Sequence, residues 1–281
     1  MIRAGTFSKL ASPLIFILIL GSLVASARWN DADGTVGKAP RDAPIEPTVM
    51  SVQEKGKGAG APYPASEIVK AVEWAPPDTI IRKAEGSDNW PMTWADDKNL
   101  YTAYGDGQGF EPKVDRKLSL GFAKIIGGPQ DFQGVNIRSE TGERVGEGAA
   151  GPKAGGMICI NGILYMLVRN VGNSQVAWSD DRAVNWTWCD WKFETSFGAP
   201  TFLNFGANYA GRLDDFVYIY SPDSESAYVP AGRMVLARVP LDAIRDRKAY
   251  QFLKSFNEFG RPVWTTNIRD RGAVFVNPQR C

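Results

Sequence analysis

The amino-acid sequence predicts an all-β fold, a β-propeller, on two kinds of observation. The first is a repeat. Asn99-Leu100-Tyr101, Gly162-Ile163-Leu164-Tyr165 and Asp215-Phe216-Val217-Tyr218 each place an apolar-Tyr pair after a turn, and their tyrosines stand 64 and 53 residues apart. Units of that length with several strands each suit propeller blades, which run somewhat above about 40 residues. The second is hairpin punctuation. Trp94 leads through Asp96-Asp97-Lys98-Asn99 into the β-prone Leu100-Tyr101-Thr102-Ala103-Tyr104. Asn161-Gly162, between two apolar runs, is a type I′ hairpin signal. One stretch, residues 242–256, suits a helix on a connection between blades.

Taken in order, the chain opens with the pattern of an export signal. Arg3 and Lys9 precede an apolar run over residues 14–24, and Ala25-Ser26-Ala27 is a small-residue cleavage site. The run is short of the roughly 20 apolar residues of a membrane span, so the expectation is cleavage near Ala27 and a secreted or periplasmic protein with no stable span. Residues 28–64, rich in Gly, Pro, Ala, Lys and Asp, predict a linker arm. Residues 66–74 suit one or two helical turns before Pro76-Pro77. The propeller domain is then expected over residues 65–281, long enough for a sizeable core.

Composition narrows the chemistry. The 281 residues include no histidine. That excludes a Ser-His-Asp triad, a Cys-His dyad and a His-ligated zinc, and leaves acid and base work to Asp, Glu, Lys, Tyr or Cys. Removing residues 1–27 takes away Arg3 and Lys9 and leaves 30 basic and 31 acidic residues, a net charge of −1. Such a balance argues against nucleic acid as a partner. The cysteines, Cys159, Cys189 and Cys281, lack metal-ligand spacing. A Cys159–Cys189 disulfide and a buried free thiol on the Ile158-Cys159-Ile160 strand are both compatible with them.

The richest stretch for chemistry is residues 86–110. Asp88 precedes the first strand of a hairpin and Asp106 follows the second, so a short turn brings both carboxylates to one end. Two carboxylates at one mouth are what glycoside hydrolysis needs, and they are the candidate catalytic pair. Turn-capping roles are the alternative for each, and Asp96 and Asp97 read as turn residues. Glu140 and Glu147, on a Gly-rich connection, are candidates for a third acid. Lys153 and Arg169 flank the second hairpin, placed to meet hydroxyls or a carboxylate of a sugar. Trp90 and Trp94 are candidate stacking platforms, and Asn208 and Tyr209 candidate pocket linings. Trp186, Trp188 and Trp191 read as core. The Gly105-Asp106-Gly107-Gln108-Gly109 run has no following helix and no Lys-Ser/Thr, so it is no phosphate loop. No cofactor is expected, although calcium would suit a carboxylate-rich centre.

Ser179 to Trp186, SDDRAVNW, matches the Asp-box of sialidase-type propellers, Ser-x-Asp-x-Gly-x-x-Trp, with Ala183 in the glycine's place. Asn185-Trp186-Thr187 also fits a glycosylation sequon. More broadly, SDNWPMTWADDKNLYTAYGDGQGF, GPKAGGMICINGILYMLVRN, PTFLNFGANYAG, DDFVYIYSPDSESAY and MVLARVPLDAIRDRKAYQF resemble, in order, a family of exported bacterial five-bladed propellers, some of them similar to endo-D-arabinanases. The resemblance covers residues 73–277. It implies the five-bladed fold and, for the hydrolytic members, an acidic pair at Asp88 and Asp106. Five blades need on the order of 300 residues, so an incomplete propeller is also expected. The implied partner is a polysaccharide or oligosaccharide, either cleaved or, in the alternative, only bound.

Overall fold

The computed structural model describes residues 29–30, 36–37, 67–69 and 71–277. The predicted signal and most of the predicted linker lie outside them. The chain divides into two units, Met1–Ile45 and Glu46–Cys281. In the first, β1 (Trp29–Asn30) pairs antiparallel with β2 (Val36–Gly37).

The second unit is all-β, with fourteen antiparallel strands in three sheets and, among the described residues, no α-helix. Sheet 1 is the meander β3 (Met92–Trp94), β4 (Leu100–Tyr104), β5 (Gly121–Ile126) and β6 (Gln133–Ile137). Sheet 2 is β7 (Lys153–Ile160), β8 (Ile163–Arg169), β9 (Ser174–Ser179) and β10 (Thr187–Trp188). Sheet 3 runs through β11 (Thr201–Phe202), β12 (Phe216–Pro222), β13 (Arg233–Pro240), β14 (Gln251–Phe256) and β15 (Pro262–Thr265), and β16 (Phe275–Val276) joins it along β13. Sequential meanders packed face to face suit a β-propeller or a β-sandwich.

Sheet 2 is the middle layer, and the sequence of β7 shows why. Strand side chains alternate between faces. Met157 and Cys159 enter an apolar layer with Tyr101, Ala103 and Phe122 of sheet 1. Ile158 and Ile160 enter a second layer with Val217, Ile219 and Phe252 of sheet 3. A strand covered on both faces reads as a continuous apolar run. Gly155 and Gly156 admit sheet 3 at close range. A Cβ on Gly155 would stand 2.5 Å from the Pro200 carbonyl oxygen, and one on Gly156 2.7 Å from the Phe202 nitrogen. Between β7 and β8, Asn161 and Gly162 have φ of +50° and +78°, as a type I′ turn requires.

The apolar-Tyr repeat has a shared mechanism in the outer sheets. Asp97 accepts from the Asn99 amide at 3.1 Å and from the Tyr101 hydroxyl at 2.8 Å. Asp214 accepts from the Phe216 amide at 3.0 Å and from the Tyr218 hydroxyl at 2.6 Å. Each aspartate thus closes its turn and anchors a tyrosine four residues on. In the Ser179–Trp186 segment, Asp181 accepts from the Asn185 amide at 2.8 Å and Ser179 from the Ala183 amide at 2.9 Å. Ala183 takes the left-handed φ of +70° that a glycine would adopt more cheaply. Trp186 is buried and stacks on Phe122, with ring centroids 5.0 Å apart. Trp188 and Trp191 are half-buried against the two apolar layers.

Two helix expectations are corrected. Within 242–256, Asp246 caps only the short 3₁₀ turn Arg247–Ala249, accepting from the Lys248 amide at 2.9 Å, and Gln251–Phe256 is strand β14. There the alternation of Tyr250 and Phe252 into the core outweighs helix propensity. The described residues of 66–74 form no helix. Cys159 and Cys189 are free, buried thiols in different apolar layers.

Sheet 3 is closed by one buried carboxylate. Asp223 ion-pairs with Arg233 and, at 2.6 Å, with Arg271, and accepts from the Ser196 hydroxyl at 2.7 Å. Burial alone pushes its pKa up, but the bonds from Arg233, Ser196 and Arg271 outweigh it and hold the carboxyl below its ordinary value. A lowered pKa contributes stability above the unfolded value, about 3.8, and loses it as pH falls through the folded one. Denaturant melts from about pH 7 down to about pH 2.5 should therefore show Asp223→Asn less stable than wild type at neutral pH, with the gap narrowing below about pH 3.8.

Candidate functional site

The sheets share one direction, and that fixes which loops meet. Asn89 donates to the Ala154 carbonyl at 3.5 Å and the Cys159 amide to the Thr93 hydroxyl at 2.8 Å, so sheet 1's first strand runs parallel to β7. Pro200 and Phe202 follow Gly155 and Gly156 in the same sense. The starts of the first strands and the ends of the second strands therefore lie at one end of the stack. Asp88, Gly105, Asp106, Lys153 and Arg169 all belong to it. The ladder confirms the pairings: Asp88 bridges to Gly105, and Lys153 is the register partner of Arg169.

Gly105 is the pivot. From the point where its Cβ would stand, Asp88 Oδ1 is 3.1 Å away, Lys153 Nζ 3.3 Å and the Ser119 carbonyl oxygen 3.3 Å. A larger residue would crowd the charged groups, which would have to give by a few tenths of an ångström. The next residue, Asp106, has a φ of +48°, a backbone region that Asp tolerates better than most residues. Its carboxylate ion-pairs through Oδ2 with Lys153, whose side chain is only 5% exposed. Lys117 stands 4.0 Å from Asp106 Oδ1 and 3.0 Å from Glu147 Oε1. The polar chain is therefore Lys153, Asp106, Lys117, Glu147, with Asp88 exposed beside it and, among the described residues, outside any ion pair. Ser119 Oγ is buried without a hydrogen-bond partner among the described residues, and Asp106 Oδ1 is met only by Lys117, at 4.0 Å.

Of the sequence-predicted residues, Asp88, Asp106, Lys153 and Arg169 come together. Arg169 is half-buried, its guanidinium 5.9 Å from the ring centroid of Tyr228. Trp90 lies two residues after Asp88 but packs into a third apolar cluster, its ring centroid 5.5 Å from that of Tyr104 and 5.4 Å from that of Phe110. Trp94 is at the opposite end of the hairpin, six residues from Asp88 and so about 20 Å along the strand. There it lines an apolar cleft of about 450 Å³ with Leu100, Ile125 and Phe132. Asn208 is also at the far end, accepting from the Gly162 amide at 3.0 Å.

Tyr209 does not reach the surface. It is buried in the layer between sheets 2 and 3, where its hydroxyl is satisfied by donating to the Phe216 carbonyl at 2.9 Å. Glu147 joins the site through Lys117, whereas Glu140 lies in the 138–143 turn, whose Thr141 holds Trp186 and Trp188. No group of three or more acidic, thiol or imidazole side chains able to hold a metal ion occurs among the described residues. Sequence reasoning missed Lys117, Ser119 and Tyr228. The usable signal was topological: the loops joining β4 to β5 and β12 to β13 must return at the same end as Asp106.

No family model matches the chain, and neither does any curated protein. Among solved structures it is similar to the phage phi92 endosialidase, with a TM-score of 0.34 and 16% identity over 59% of this chain and 26% of that one. It is also similar to a protein from Bacteroides ovatus named as a candidate hydrolase, with a TM-score of 0.41 and 12% identity over 72% of this chain and 58% of the other. The chain thus spans about a quarter of the first and somewhat over half of the second. No described helix is long and apolar enough to cross a membrane.

The Lys153–Asp106 pair should be measurable by a double-mutant cycle. Removing one partner leaves the other poorly solvated, so Lys153→Met and Asp106→Asn should each destabilise by about 1–3 kcal/mol, discounted from the fully buried case because Asp106 is partly exposed. The double variant should lose less than the two single losses combined, read from urea unfolding.

Proposed function

We propose that the three sheets are blades of a five-bladed-type β-propeller, exported by its leader, and that the shared end of the stack hydrolyses a polysaccharide or oligosaccharide. Sequential meanders pointing one way support the propeller, as does the Ser179–Trp186 turn, whose Ser and Asp hydrogen bonds are those an Asp-box makes. The observation that carries the functional reading is the chain of charged side chains Lys153, Asp106, Lys117 and Glu147, brought to one end of the stack beside the exposed Asp88. Charged groups converging on one end, with the Asp88 carboxylate exposed among them, suit the hydroxyls of a sugar.

In this reading Asp88, outside any described ion pair, gives a proton to the glycosidic oxygen as its bond to the anomeric carbon breaks. Asp106, ion-paired with Lys153, either bonds to that carbon and is later released by water, or takes a proton from the attacking water. Lys117 fixes the outer side of Asp106 and ties the Gly-rich loop to the site through Glu147.

One observation favours a second reading, a glycan-binding propeller without catalysis. The Lys153–Asp106 pair also links sheet 2 to sheet 1, so Asp106 has a structural task that needs no reaction.

The deciding measurement is product release from arabinans, galactans and uronic polysaccharides. On the catalytic reading the wild type releases sugar, and Asp88→Asn and Asp106→Asn lower the rate at least about 100-fold while remaining folded. Retention of a glycan with no release would establish binding alone. Release untouched by both variants would move the chemistry elsewhere.

A further inference from the structure

We infer that the glycan is acidic, a polymer bearing carboxylates, and that Arg169 with Tyr228 forms the subsite that takes a charged sugar. The inference rests on the mouth being a glycan site and deepens that reading. The cations of the mouth are not equivalent. Lys153 is matched by Asp106 and Lys117 by Glu147. Arg169 has no carboxylate within ion-pair range among the described residues, although it is half-buried. What it has instead is an aromatic neighbour: Tyr228, 51% exposed and outside the apolar layers.

This pairing fits one ligand chemistry. A guanidinium presents two parallel N–H donors that match a planar carboxylate, and it stays charged at every relevant pH. An exposed tyrosine ring offers a flat face to the C–H surface of a sugar. Together they complement a ring that is apolar on one side and carries a carboxylate at its edge. The position is also apt. Arg169 is the direct cross-strand partner of Lys153, so their Cβ atoms are about 5 Å apart and the subsite adjoins the reacting carboxylates. Its neighbour Asn170 donates to the Gly151 carbonyl at 2.9 Å and the Gly148 carbonyl at 3.3 Å, which holds the Gly-rich loop beside the subsite. A neutral glycan would leave the Arg169 charge without a counterpart.

The test uses affinity electrophoresis of the full chain in gels containing polygalacturonate, alginate or hyaluronate, each beside its methyl-esterified form, and in gels of neutral arabinan and galactan. The expected result is retardation by at least one carboxylated polymer, loss of it on esterification, and an affinity roughly 10- to 100-fold weaker in Arg169→Gln, the loss of a charge-assisted bidentate contact. Arg169→Lys should recover part of it, and equal thermal melting of the variants controls for folding. Retardation by neutral glycans that Arg169→Gln leaves unchanged overturns the inference while the glycan site stands. Retardation by an acidic polymer that Arg169→Gln leaves unchanged overturns it too. No retardation by any glycan overturns both the inference and the glycan reading.

Discussion

The structure depends on burying β7 from both sides. A single strand of alternating side chains supplies one apolar layer with Met157 and Cys159 and a second with Ile158 and Ile160. Sheets 1 and 3 each bury an apolar face against this middle sheet. The requirement reaches into composition: both faces must be apolar, and the backbone must let a neighbour approach, hence Gly155 and Gly156 where Pro200 and Phe202 come in.

The same requirement creates the site. β7 begins with Lys153, and a strand covered on both faces gives its first side chain little water. The charge has to be answered from within the protein, and Asp106 answers it from the neighbouring sheet. Asp106 meets it beside Gly105, which leaves room above its own backbone, and with a positive φ. Charge on a buried strand and strain in an adjacent turn are thus two parts of one arrangement, and Asp88 is carried into it by its ladder pairing with Gly105.

Much of this was legible in the sequence where local chemistry decides. Asn161-Gly162 gave a turn of the expected kind, and the apolar-Tyr repeat marked equivalent strands because an aspartate anchors the tyrosine in two of the three sheets. The convergence of Asp88 with Asp106 follows from hairpin geometry alone. What failed was anything decided between sheets. Residues 247–256 carry helix-forming Arg, Lys and Ala beside strand-forming aromatics, and the burial of Tyr250 and Phe252 settles the contest in favour of the strand. Trp94 and Asn208 were grouped with the carboxylates on residue type, but strand direction sends them to the other end. Lys117 and Ser119 were invisible because their role comes from a loop returning across the mouth, which no pattern of spacing records.

The two buried thiols carry a consequence of another kind. Cys159 belongs to the layer between sheets 1 and 2, and Cys189 to the layer between sheets 2 and 3. Burial pushes both thiols up, Cys189 to about 11, so in the intact protein neither is a ready nucleophile. Alkylation kinetics in denaturant would follow each layer separately through a natural reporter. Simultaneous labelling would mean that the stack opens as one cooperative body, and staggered labelling that an outer sheet peels away while the rest holds.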